Sequence, residues 1–149
     1  MHTGNNISVA MLVKDVMSKE VLTVSTGTPI RAAARTLADN HVGCLVVVKN
    51  GKVIGMLTET DVLRSLAEHG GAGIESKCVE DAMTHYVIPT ASRSTIESAV
   101  RLMNENKIKK LPVIDDGRLV GIITASDIIT AQPDMIKGIK MLLTRKYEA

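Results

Sequence analysis

Two short runs end in the same pair of reactive side-chain types: GMLTETD, from Gly55 to Asp61, and GIITASD, from Gly121 to Asp127. In each, a threonine stands three places before an aspartate, where a β-prone run gives way to a helical one. Helix-start N–H groups have no intrahelical partner and favour an anion, a threonine hydroxyl donates to oxygen, and a carboxylate accepts two adjacent sugar hydroxyls. Thr58, Asp61, Thr124 and Asp127 are therefore candidate binding residues. The same types also cap helices and complement the helix dipole, so capping is the competing reading for each pair. Preservation of the T-x-x-D spacing in both runs favours a ligand at one of them or both.

Other reactive side chains gather into no such pattern. Cys44 opens the apolar run LVVV and reads as an inert buried thiol, and Cys78 has no partner cluster at metal-ligand spacing. His2, His41, His69 and His85 are scattered, and neither HExxH nor a phosphate-loop motif is present. The glycine-rich GGAG at Gly70 to Gly73 precedes no strand-to-helix phosphate loop, so it reads as linker. No catalytic residue and no metal site are expected.

Composition narrows the classes further. The 149 residues contain no Phe, no Trp and two Tyr, which leaves no material for a base-stacking platform, an aromatic cage or an aromatic membrane belt. Eighteen Lys and Arg against sixteen acids give a net charge of +2, too small and dispersed to indicate a polyanionic partner. No apolar run is long enough to span a membrane, and MHTGNNISVA has neither the basic start nor the apolar stretch of a secretory signal. A soluble cytoplasmic chain with reduced thiols is expected.

The elements that must position the T-x-x-D pairs are written twice. Val13 to Leu63 aligns without a gap on Val79 to Ile129 at an offset of 66, with fourteen of fifty-one positions identical, including Asp15 with Asp81, Met17 with Met83, and Gly55 with Gly121. Each copy begins with a short helical turn, VKDVM or VEDAM, and a β-prone stretch, VLTV or YVIPT. An amphipathic helix follows: Thr28 reads as N-cap with Pro29 at the first position in copy one, and Ser94 with Glu97 reads as a capping box in copy two. The hairpins CLVVVKNGKVIGMLT and LPVIDDGRLVGIIT turn at Asn50-Gly51 and Asp116-Gly117, residue types that tolerate positive φ. Gly55 and Gly121 interrupt the second strand where a side chain would obstruct a close neighbour. A closing helix then carries the aspartate.

A unit of about fifty residues is marginal alone, so the two copies are expected to cover each other as an α/β pair packed about a pseudo-twofold axis. The expected boundaries are 8–69 for the first repeat, 70–77 for the linker and 78–132 for the second. Residues 133–149 then form a basic amphipathic helix. Its stripe is Met135, Ile136, Ile139, Met141, Leu142 and Leu143, interleaved with Lys137, Lys140, Arg145 and Lys146, and it is expected to pack on the pair or across a dimer. The first residues through Asn6 have little apolar anchoring and are expected to be disordered.

The DVM and DAM openings, the two hairpins, and the endings TETD and TASD together resemble a tandem pair of cystathionine-beta-synthase (CBS) domains, or Bateman module, over almost the whole chain. The resemblance implies two small α/β units about a pseudo-dyad, two clefts between the repeats that bind AMP, ADP, ATP or S-adenosylmethionine, and assembly as a homodimer. Asp61 and Asp127 match the family's ribose-binding acids, and Thr58 and Thr124 its phosphate-proximal hydroxyls. Leu22 and Thr23, and Ile88 and Pro89, match strand positions that read and sandwich the adenine. Gly43, Cys44 and Leu45 match one wall of the first cleft, and Lys109, Lys110 and Leu111 that of the second.

Lys107, Lys109 and Lys110 have no charged counterparts among His41, Gly43 and Cys44, so phosphate is expected to prefer the Asp127 site. A solvated helix end is the alternative reading of these lysines. The function expected is regulatory binding of an adenosine-containing molecule that acts on an unidentified partner protein, without catalysis. Nucleic-acid binding and a purely structural adaptor are the other readings.

Overall fold

The computed structural model describes residues 10–145, with side chains described to residue 140. The expected element order is found in full in copy one and, without the first strand, in copy two. Copy one runs α1 (Val13–Val16), β1 (Thr23–Ser25), α2 (Ile30–Asn40), β2 (Cys44–Lys49), β3 (Lys52–Thr58) and α3 (Glu59–Ile74). Copy two runs α4 (Val79–Ala82), α5 (Ile96–Asn106), β4 (Lys110–Asp115), β5 (Arg118–Thr124) and α6 (Ala125–Ala131), followed by a 3-10 turn (Pro133–Met135) and α7 (Ile136–Arg145).

Both hairpins turn as their residues require, with positive φ at Asn50 and Gly51 and again at Asp116 and Gly117. In copy one β1 pairs parallel with β2, which pairs antiparallel with β3. In copy two the equivalent of β1 shrinks to a single parallel bridge, Thr90 to Val113. Proline explains the loss: the Val46 N–H donates to the Leu22 carbonyl at 3.0 Å, but Pro112 stands at the Val46 position and has no N–H to give Ile88.

The chain forms two compact units that do not follow the sequence repeats. One comprises residues 20–87 with 116–119, and the other the opening segment to Lys19 together with 88–115 and the chain from Val120. The opening turn of each copy is thus built into the body of the other. Val13 is fully buried in an aliphatic cluster with Ile96, Met103, Leu111 and Ile123, while Val79 and Met83 are buried with Ala33, Leu37, Leu45 and Leu57. The Ser18 N–H and C=O exchange hydrogen bonds of 2.9 and 3.0 Å with Ile122, and Thr84 does the same with Met56 at 2.8 and 3.0 Å.

This exchange accounts for the paired glycines. A Cβ on Gly121 would lie 2.6 Å from the Met17 sulfur and 2.8 Å from the Ser18 carbonyl oxygen; one on Gly55 would lie 2.7 Å from the Met83 sulfur and 2.8 Å from the Thr84 oxygen. Asp15 and Asp81, identical between copies, each accept the backbone N–H three residues earlier, from Leu12 and Cys78, at 2.9 Å. The Cys78 N–H holds the Asp81 carboxyl below its ordinary value.

Two cap expectations are corrected. Thr95, not Ser94, caps α5, its hydroxyl accepting the Ser98 N–H at 3.1 Å; the Ser94 carbonyl is used by the Val13 N–H at 2.8 Å. Pro29 occupies the cap position of α2, while Thr28 shares a side-chain hydrogen bond with Ser25. The segment read as a linker from Gly70 is helical to Ile74, broken only at Gly70, whose φ is 72°. The backbone carbonyls of Lys77 and Met11 accept the first N–H groups of α2 and α5 at 3.1 Å, so the exchanged segments do capping work that side chains were expected to do.

α7 packs on α5 and α6. Ile139 is fully buried, and Asn104 donates its side-chain amide to the Gly138 carbonyl at 2.6 Å. The corresponding positions of copy one, among them Ala34, Leu37, Ala38 and Val62, line a groove of about 460 Å³ between α2 and α3. The stripe positions Met141, Leu142 and Leu143, the interleaved Arg145 and Lys146, and the N-terminal residues through Asn6 lie outside the residues or side chains described.

Candidate functional site

Each unit gathers its candidate residues at one end of its strands. In the first, the parallel register puts Thr23 beside Val46, the antiparallel register puts Cys44 opposite Thr58, and the Glu59 N–H donates to the Gly43 carbonyl at 3.1 Å. Leu22–Thr23, Gly43–Leu45, Thr58 and Asp61 therefore converge. In the second, the Thr90 N–H donates to the Pro112 carbonyl at 3.0 Å, and the Ala125 N–H to the Lys109 carbonyl at 2.9 Å. Ile88–Pro89, Lys109–Leu111, Thr124 and Asp127 converge in the same way.

The T-x-x-D pairs form reciprocal caps. The Thr58 N–H donates to Asp61 Oδ2 at 2.9 Å and the Asp61 N–H to Thr58 Oγ1 at 3.2 Å. In copy two the corresponding bonds, Thr124 N–H to Asp127 Oδ2 and Asp127 N–H to Thr124 Oγ1, are both 3.0 Å. The capping reading is thus realised in both copies. It leaves chemistry to spare, since each threonine oxygen accepts within the cap and keeps its own O–H to donate. The cap takes only one carboxylate oxygen.

The two sites differ in what surrounds that carboxylate. Asp61 is buried, and its Oδ1 accepts Arg64 Nη1 at 3.2 Å. Asp127 is half-buried, and its Oδ1 makes no hydrogen bond among the described residues. Lys109 and Lys110 are half-buried at the start of β4, while Lys107 is the exposed left-handed residue ending α5, with φ 55°. Leu45 and Leu111 are fully buried in the aliphatic clusters, so they offer a ligand only backbone groups. Cys44, Thr23 and Pro89 are at least partly exposed.

Two residues escaped sequence reasoning. Arg64 was signalled only by opposite charges three apart on a helix. Thr90 replaces Val24 of copy one, and its hydroxyl is buried without a hydrogen-bond partner among the described residues; the substitution of Thr for Val in an otherwise aliphatic position was its only trace. Among the described residues, no group of three or more His, Cys, Asp or Glu is placed to hold a metal ion, and no helix is long and apolar enough to cross a membrane.

Comparison with known proteins agrees with this architecture. The CBS domain family model matches residues 13–68 and 79–134. The chain is 32% identical to the CBS domain-containing protein YhcV of Bacillus subtilis over 120 residues, covering 80% of this chain and 84% of YhcV. It is 36% identical over 118 residues to inosine-5'-monophosphate dehydrogenase of Thermoplasma acidophilum, covering 78% of this chain but only 23% of that enzyme's length. Among solved structures, the CBS domain pair of protein MJ0100, in complex with 5'-methylthioadenosine and S-adenosyl-L-methionine, superposes with a TM-score of 0.76 at 30% identity, covering 85% of this chain and 98% of that one. With two matched copies and relatives similar across most of its length, the chain belongs to the CBS domain family.

Proposed function

We propose that this CBS domain pair is a regulatory module that binds an adenosine-containing molecule, with AMP, ADP or ATP favoured and S-adenosylmethionine the sulfonium alternative. The observation that carries the reading is the convergence, in each unit, of strand ends, a threonine hydroxyl and an aspartate that spends one carboxylate oxygen on its helix cap. Asp127 Oδ1, which makes no hydrogen bond among the described residues, suits a ribose hydroxyl. The nearby Lys109 and Lys110 suit phosphate, which ranks the Asp127 site above the Asp61 site for a nucleotide. The adenosine-type ligands of the MJ0100 pair support the same class. Binding would act on a separate regulated protein by favouring one of two arrangements of a cytoplasmic homodimer. No chemical step is assigned to the chain.

Thermal melts of the wild type with AMP, ADP, ATP, S-adenosylmethionine and RNA test this reading. A nucleotide at one hundred times its dissociation constant stabilises the folded state by about 2.7 kcal/mol per site, a rise of roughly 5–11 °C for a chain of this size. The rise is expected with an adenosine ligand and is abolished in the Asp61→Ala, Asp127→Ala double variant. Tight, salt-dependent RNA binding with no adenosine response would reverse the assignment.

A further inference from the structure

The two copies differ in one side chain that bears directly on the carboxylate. In copy one both Asp61 oxygens are engaged: Oδ2 by the Thr58 N–H at 2.9 Å and Oδ1 by Arg64 Nη1 at 3.2 Å. The Asp61 side chain is 6% exposed beneath an Arg64 side chain that is 60% exposed. In copy two the position three after the aspartate is Thr130, which is uncharged and too short to reach across a helical turn as a guanidinium does. A vicinal diol needs outward-facing acceptor positions on the carboxylate, and a guanidinium uses the same positions with a geometry suited to them.

We infer that Arg64 is a specificity-determining residue that occupies the Asp61 oxygen a sugar hydroxyl would use, making copy one the weaker adenosine site whether or not the ligand carries phosphate. The inference rests on the adenosine reading above. It is independent of the lysines, which act only on phosphate. The lock is light: Arg64 is exposed, and an exposed ion pair one helical turn apart corresponds to at most about a fivefold change in affinity. Copy one is therefore attenuated, not abolished, and the two sites would fill at different ligand concentrations.

The test uses the full chain and adenosine itself, so that phosphate plays no part. Asp127→Ala isolates the Asp61 site, and isothermal titration compares Arg64 with Arg64→Thr and Arg64→Gln in that background. Both neutral variants are expected to bind adenosine about three- to fivefold more tightly, while Arg64→Lys, which keeps the charge without the fork, gains less. The reciprocal change, Thr130→Arg in an Asp61→Ala background, is expected to weaken binding by a similar factor. Melting temperatures without ligand should stay within a few degrees, which separates the effect from one on folding. Unchanged or weaker adenosine binding in both neutral variants overturns the role of Arg64 and leaves the adenosine reading standing. Absence of adenosine binding by the wild type and by each single aspartate variant overturns that reading, and the lock with it.

Discussion

Replacing Gly121 by alanine probes the exchange of opening segments on which both units are built. The added methyl would stand 2.6 Å from the Met17 sulfur and 2.8 Å from the Ser18 carbonyl oxygen. The thioether can rotate away, but the carbonyl cannot move without disturbing the paired Ser18–Ile122 hydrogen bonds of 2.9 and 3.0 Å. Overpacking costs about 1–3 kcal/mol, and each backbone hydrogen bond lost adds about 1 kcal/mol. A destabilisation of about 3 kcal/mol is expected, or roughly 6–12 °C in melting temperature. Gly55→Ala, facing the Met83 sulfur at 2.7 Å and the Thr84 oxygen at 2.8 Å, should match it. Gly27 supplies the control: an added Cβ there meets nothing within 4 Å and φ is not positive, so Gly27→Ala should be neutral or stabilising by up to about 1 kcal/mol. Urea unfolding followed by circular dichroism measures all three. A loss below about 1 kcal/mol for both Gly55→Ala and Gly121→Ala would refute the close packing of Met17–Ser18 and Met83–Thr84 on the hairpin strands.

Further outcomes follow from the same contacts. Val13→Ala, which removes two methyl groups' worth of a fully buried side chain, should cost about 2 kcal/mol by urea unfolding. Thr124→Ala deletes a cap acceptor used by the Asp127 N–H at 3.0 Å and should cost about 1 kcal/mol in the same assay. Donation by the Ser92 hydroxyl, then by its N–H, holds the Asp115 carboxyl below its ordinary value. The folded state therefore binds protons less readily than the unfolded one. The associated stability is present above the ordinary carboxylate range and lost as pH falls through the depressed value, below about pH 4. Asp115→Asn should flatten the fall in urea midpoint over that window.

Much of this was legible in the chain because the duplication supplied an internal comparison. The hairpins followed from Asn50-Gly51 and Asp116-Gly117, and the closing helices from T-x-x-D, since these signals act through near neighbours. What escaped depends on distant partners. Nothing local to VKDVM says that Val13 is buried with Ile96 and Leu111, or that the Val13 N–H takes the Ser94 carbonyl just before the α5 cap at Thr95. The identity of Gly55 with Gly121 and of Met17 with Met83 recorded that contact, but only the fold shows which methionine meets which glycine. At the candidate sites the repeat marked the T-x-x-D pairs, while the strand starts that meet Asp61 and Asp127 were implied only by the family resemblance. The asymmetry set by Arg64 required the side-chain geometry.

We propose that the two aspartates hold an adenosine ligand and that the Asp127 site holds a nucleotide more tightly. Titration of AMP by calorimetry into the wild type, Asp61→Ala and Asp127→Ala tests it most directly. Asp127→Ala is expected to remove the tighter binding event while Asp61→Ala leaves it in place. Equal losses in the two variants would contradict the ranking, and unchanged AMP binding in both, and in the double variant, would contradict the assignment of these carboxylates to the ligand.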